Sequence, residues 1–181
     1  MIKKKQPLRG VIIILLIIAA AMLLFDHFHI NNFRTIEPGV FYTSGQPGGM
    51  DYTRLFYNYH IATIVNIRPA SEHREKNWHN EEIVSTRNNG INYIEMPIEK
   101  TNYFPDKQTQ EQFLTVMANK SNLPVLLHGG RNDKRVAMLV AVWMVKSQKC
   151  TVGQTVNAVE RILKNRKPTE DEIKFIENLS K

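Results

Sequence analysis

A single cysteine, Cys150, occurs in 181 residues. That excludes an intramolecular disulfide and any cysteine-built zinc cluster, so apolar burial must hold the chain together. Internal repeats, low-complexity stretches and RNP-type aromatic runs are also missing, and the cations are scattered. A nucleic-acid partner is therefore not expected. Positive charge is thin once the N-terminus is set aside. Net charge is +7, and Lys3, Lys4, Lys5 and Arg9 supply four of it, leaving +3 for the rest.

What the chain does have is one uninterrupted apolar run, Val11–Phe25, directly behind that cationic flank. A bilayer span usually takes about 17–25 residues, so the run is at the short end. The expectation is an uncleaved signal anchor over 10–25, with 1–9 as a cytoplasmic basic flank and 26–35 as a tether. A cleaved signal peptide competes with it, because Ala19–Ala21 offer a small-residue site. Cleavage there would leave Met22–Phe25 as an apolar stub. The positive-inside rule then makes this a single-pass membrane protein with its domain, 36–181, outside the cytoplasm. In a Gram-negative cell that is the periplasm.

Beyond the tether, "GVFYTSG" reads as a strand entering a Gly/Pro-rich turn, and Met50–His60 as a short helix. "IATIVNI" (Ile61–Ile67) and "PVLLH" (Pro124–His128) are β-branched or leucine-rich runs of the kind buried on both faces of a sheet. "INYIEMPI" (Ile91–Ile98) is a further strand. A polar helix is expected from Glu72 to Asn88, another over Asp106–Lys120, and an apolar one over Lys134–Ser147. Two helices follow, the last opened by a Thr169/Glu172 capping box. Strands alternating with helices predict an α/β fold with a central, mainly parallel sheet flanked by helices. Ligands collect at the carboxyl ends of such strands.

The loop after "PVLLH" is at such an end and reads "HGGRNDKR" (His128–Arg135). Gly129 and Gly130 let backbone N–H groups turn into a concavity without steric cost. The helix that follows adds its free N–H groups and positive dipole end. Arg135 contributes a planar fork suited to two oxyanion oxygens. A phosphate or similar anion fits this description, and so does an ordinary strand–turn–helix link.

The same residues resemble the phosphate-binding loop of the cysteine-dependent tyrosine and dual-specificity phosphatases: His, Cys, five residues, Arg. "IEPGVFYTSGQP", "IATIVNIRPASEHREKNWHNEE" and "GINYIEMPIE" resemble the bacterial and fungal dual-specificity branch in order and spacing, covering roughly Phe33–Leu163. The resemblance implies that fold, with Gly130, Arg131, Asn132, Asp133, Lys134 and Arg135 as the phosphate cradle. It makes His128, Arg68 and Glu72 supports of the loop. Tyr42, Ser44 and Gln46 fall near the site mouth or pack in the turn.

The departures carry the functional expectation. Gly129 stands where the family has its nucleophilic cysteine, and a glycine cannot form a phosphocysteine. Asn132 replaces a family glycine, and Val136 replaces the hydroxyl after the arginine. The resemblance places a general acid after "MPI", where Glu99 and Asp106 are the candidates and a plain solvated carboxylate is the other reading of each. A pseudophosphatase that binds a phosphorylated protein, a small phosphate ester or another oxyanion is the first expectation. An active phosphatase and a non-catalytic interaction protein are the alternatives. No cofactor is expected. His27, His29, His60, His73 and His79 show no ligand pairing, so no metal is expected either.

Overall fold

The computed structural model describes residues 10–19, 30–73, 77–130, 134–164 and 166–181. They fall into two units, Met1–Ile30 and Asn31–Lys181. In the first, residues 10–19 form helix α1, and its side chains from Val11 to Ile18 are 45–64% exposed. Among the described residues no helix is long and apolar enough to cross a membrane. The expected 10–25 span is thus described only over 10–19, and the remainder lies outside the described residues.

The second unit is built on a five-stranded sheet of order β1-β2-β5-β3-β4. Its strands are β1 (Arg34–Glu37), β2 (Phe41–Ser44), β3 (Thr63–Asn66), β4 (Asn92–Glu95) and β5 (Val125–His128). β2, β5, β3 and β4 run parallel to their neighbours, and β1 closes one edge antiparallel to β2. The α/β fold with its mainly parallel sheet is therefore as expected, in mixed form. β2, β3 and β5 are buried throughout, which is why their sequences show no polar alternation. β1 overlaps the expected 26–35 tether. Its sequence, Arg-Thr-Ile-Glu, has no buried-strand pattern, and pairing with β2 is what makes it a strand.

The parallel register aligns the carboxyl ends on one rung: Ser44, His128, Asn66 and Glu95. Gly45 follows Ser44 and donates its N–H to the Asn31 carbonyl at 2.7 Å. A Cβ there would lie 2.9 Å from the Asn31 side-chain nitrogen, so a larger residue would have to displace that side chain.

Helices α2 (Asp51–Tyr59), α3 (Trp78–Asn88), α4 (Lys107–Ala118), α5 (Lys134–Lys146), α6 (Val152–Ile162) and α7 (Glu170–Leu179) surround the sheet. α5 is the pivot and is apolar on two faces. Val136, Leu139, Val140 and Trp143 join Phe41, Val65, Phe113 and Leu127 against the sheet. Ala137, Met138, Ala141 and Val142 pack with Val159, Ile176 and Leu179 of the last two helices. A helix packed on two faces has little freedom to shift, which fixes where Arg135 sits.

The expected continuous helix from Glu72 to Asn88 is broken. Ala70–Glu72 is a 3-10 turn after Pro69, and α3 begins only at Trp78. Side-chain bonds hold the turn inward: Arg68 Nε donates to Glu72 at 2.8 Å, and Trp78 Nε1 donates to the Glu72 carbonyl at 3.2 Å. Gly90, at φ +66°, then releases the chain from α3 into β4.

Candidate functional site

β5 ends at His128, which is fully buried, and Gly129 behind it is buried as well. Gly130 is half-buried and shares a cavity of about 20 Å³ with Thr43, Ser44, Gly45 and Val136. Arg131, Asn132 and Asp133, expected in the anion cradle, lie outside the described residues. Lys134 opens α5 with its Nζ 4.9 Å above the Tyr103 ring.

Arg135, one residue further on, is only 1% exposed. Its Nη1 donates to Glu72 Oε1 at 2.8 Å and to the Ile98 carbonyl at 2.7 Å. The other Glu72 oxygen accepts from Arg68 Nε at 2.8 Å, and Lys100 Nζ stands 3.6 Å from it. Burial alone would push the Glu72 carboxyl up. Hydrogen bonds from Arg135 and Arg68, and the charges of Arg135 and Lys100, bring it below the usual carboxylate value. Arg68 is further held by Gln46 Oε1 at 2.9 Å and by the face of Trp78, 3.9 Å from its guanidinium carbon. One carboxylate thus orients two arginines, and breaking such a buried pair costs about 3–5 kcal/mol.

A second carboxylate, Glu82 of α3, is fully buried beneath the same strand ends. Its Oε1 accepts from Tyr52 at 3.0 Å and from Gln46 Nε2 at 3.2 Å, and its Oε2 accepts from Tyr93 at 2.8 Å. His128 Nε2 lies 3.1 Å from Oε1, an ion-pair separation outside hydrogen-bond geometry. Burial raises the Glu82 carboxyl, but the charge and contact of His128 and the two tyrosine hydroxyls outweigh it and leave it low. Burial and the Glu82 charge raise both tyrosines well above their ordinary value. Asn66 completes the net, donating to the Tyr93 oxygen at 2.8 Å and accepting from the Arg68 N–H at 2.9 Å. Gln46 joins the two halves, accepting from Arg68 and donating to Glu82.

Glu82, Tyr52 and Tyr93 were not among the residues singled out from sequence. The available signal was negative: α3 carries no apolar stripe, and Glu82 and Thr86 are its buried residues. Tyr42 accepts from the Gly39 N–H at 2.8 Å and stacks on Phe33, so it packs in the turn. Ser44 donates to the Gly45 carbonyl at 2.7 Å.

The two acid candidates are placed differently. Asp106 caps α4, accepting from the Thr109 N–H at 2.7 Å, and that bond lowers its carboxyl. Glu99 is exposed and follows Ile98, whose carbonyl receives Arg135. A further cluster was not expected from the sequence. His73, His79 and Glu95 each bring one ligand atom within 4.8 Å of the others.

The site thus joins a buried arginine in the first turn of α5 to a glutamate in the turn after β3, near the carboxyl ends of the parallel strands. The family described as "DSP-PTPase phosphatase fused to NAD+ kinase" matches residues 30–178. The chain belongs to this dual-specificity, protein-tyrosine-phosphatase-like family. No curated relative matches the sequence.

Solved structures agree on the fold. The catalytic core of the PP-IP phosphatase Siw14 from S. cerevisiae superposes with a TM-score of 0.67 at 20% identity, covering 82% of this chain and 85% of that one. A DUF442 protein from Shewanella putrefaciens does so at 0.61 and 18% identity, covering 83% and 92%. PTPMT1 in complex with PI(5)P gives 0.62 at 12% identity, covering 83% and 95%.

Proposed function

We propose that this chain is a membrane-anchored, catalytically impaired phosphatase-family protein that binds phosphate monoesters or related oxyanions through the 128–135 loop. The observation that carries the reading is the combination at one point of the fold. A side-chain-less Gly129 occupies the buried end of β5, while Arg135 is held by Glu72 and the Ile98 carbonyl. Covalent catalysis needs a nucleophile at the attacking position, and glycine supplies none. Electrostatic recognition needs fixed donors, and a guanidinium locked on its carboxylate is preorganised for that.

Relatives of the fold support a phosphate-bearing ligand. Siw14 is a PP-IP phosphatase, and PTPMT1 has been crystallised with PI(5)P. In this reading Gly130–Lys134 supply backbone donors and Arg135 the fork. Glu99, beside the Arg135 contact, is the better acid candidate, because the Asp106 carboxylate is committed to its helix. The exposed apolar side chains of α1 support an anchor over 10–25, and the cationic flank Lys3–Arg9 supports an extracytoplasmic domain.

The test is calorimetric binding of phosphate and phosphotyrosine, with aryl-phosphate turnover, for the full chain, Gly129→Cys and Arg135→Ala. Binding without turnover in the wild type, lost in Arg135→Ala, is expected, and Gly129→Cys should gain turnover. Wild-type turnover that disappears in Arg135→Ala would instead make the protein an active enzyme. A folded sample that binds no anion would place it among interaction proteins. Protease shaving of spheroplasts and alkaline extraction of membranes test the anchor.

A further inference from the structure

The His73, His79 and Glu95 cluster lies outside the anion frame. His73 follows the 3-10 turn, His79 is in the first turn of α3, and Glu95 ends β4. Three separate elements therefore converge. The two imidazole rings stack with centroids 3.7 Å apart at 17°. His79 Nε2 is 2.6 Å from Glu95 Oε1. All three ligand atoms lie within 4.8 Å of one another.

Neither stacking nor a single His–Glu contact requires a third donor at that spacing. We propose that these three side chains form a binding site for a divalent transition-metal ion of the zinc type. Two imidazoles and one carboxylate match the borderline-soft donor preference of Zn²⁺, with solvent in the fourth position.

The geometry needs only side-chain adjustment. Ligands about 2.0–2.1 Å from a tetrahedral ion lie about 3.4 Å from one another, between the 2.6 Å contact and the 4.8 Å envelope.

Outer partners are in place. His73 Nε2 is 3.3 Å from the Arg68 carbonyl, and donation to it leaves Nδ1 with the lone pair. The Tyr93 hydroxyl is 3.4 Å from Glu95 Oε1 while donating to Glu82. An ion here ties the turn that carries Glu72 to α3 and β4. The site is separate from the anion loop and stands whether or not that loop binds phosphate.

The experiment is Zn²⁺ titration of the metal-free full chain in detergent by calorimetry, with Co²⁺ absorption as a second readout. The expected result is one ion per chain. His73→Ala, His79→Ala and Glu95→Gln should each lower affinity by at least about tenfold, a loss that even outer-partner changes can reach. His27→Ala/His29→Ala should leave it unchanged. A tetrahedral Co²⁺ spectrum in the wild type should be lost in His79→Ala while the circular dichroism is kept. Absence of stoichiometric Zn²⁺ binding, or affinity unchanged in all three variants, would overturn the proposal. So would binding that disappears with His27 and His29.

Discussion

Arg135 and Glu72 are 63 residues apart in sequence and 2.8 Å apart in space, and the same carboxylate also receives Arg68. The position of the arginine is thus set by a turn that lies 63 residues before it. In the proposed reading, an oxyanion at the 128–135 loop meets a guanidinium whose orientation is already decided. That lowers the ordering cost of binding.

Removing the carboxylate should reveal this coupling. Glu72→Ala leaves two buried guanidinium groups without their shared partner and should cost about 3–5 kcal/mol in urea unfolding. Glu72→Gln should cost less, because it keeps an acceptor. Combined with Arg135→Met, the loss should be smaller than the sum of the single changes, because the pair acts as a unit. Additive losses would show the two residues to be independent.

Stability should fall in acid over a defined window. Glu72, Glu82 and Glu172 all have carboxyls held below their ordinary value, about 4.5. A depressed carboxyl binds fewer protons in the folded than in the unfolded chain. Its contribution is therefore complete above about pH 4.5 and is lost as pH falls through the folded value. Unfolding free energies measured between pH 7 and pH 3 should be level at first and then drop. Glu82→Gln should show a shallower drop than wild type, and an identical profile would exclude Glu82 as a contributor.

The acid candidates separate in the Gly129→Cys background. Glu99→Gln should reduce turnover of an alkyl phosphate by about a hundredfold, the scale of a lost general acid. Asp106→Ala should leave turnover unchanged and destabilise α4, whose first turn it caps. The opposite pattern of rates would assign the proton to Asp106.

Core and cap substitutions should differ in size. Leu139 is fully buried between α5 and the sheet, so Leu139→Ala should cost about 2–5 kcal/mol. Thr169 receives the Glu172 N–H while Glu172 receives the Thr169 N–H, and Thr169→Ala should cost about 1 kcal/mol. Thermal unfolding of both variants checks the ordering, and equal losses would contradict the role given to α5.

Much of the fold was legible because burial leaves a compositional trace. The runs around Ile64, Val65, Leu126 and Leu127 read as doubly buried strands and are so, and the Thr169/Glu172 box is present as read. β1 was not legible, since Arg34 and Glu37 give no alternation and only its pairing with β2 makes it a strand. The break before Trp78 was also hidden. On a continuous helix His73 and His79 would face about 120° apart around the axis. The 3-10 turn stacks them instead.

The residues of the chain by themselves determined the α/β class, the family, the spacing from His128 to Arg135 and the glycine at 129. These follow from local pattern and order along the chain. Tertiary structure alone decided which charges meet. Glu72 with Arg135, Glu82 with Tyr52, Tyr93 and His128, and His79 with Glu95 all join different elements. Electrostatic pairing depends on distance and burial in space. Separation along the chain carries no record of either.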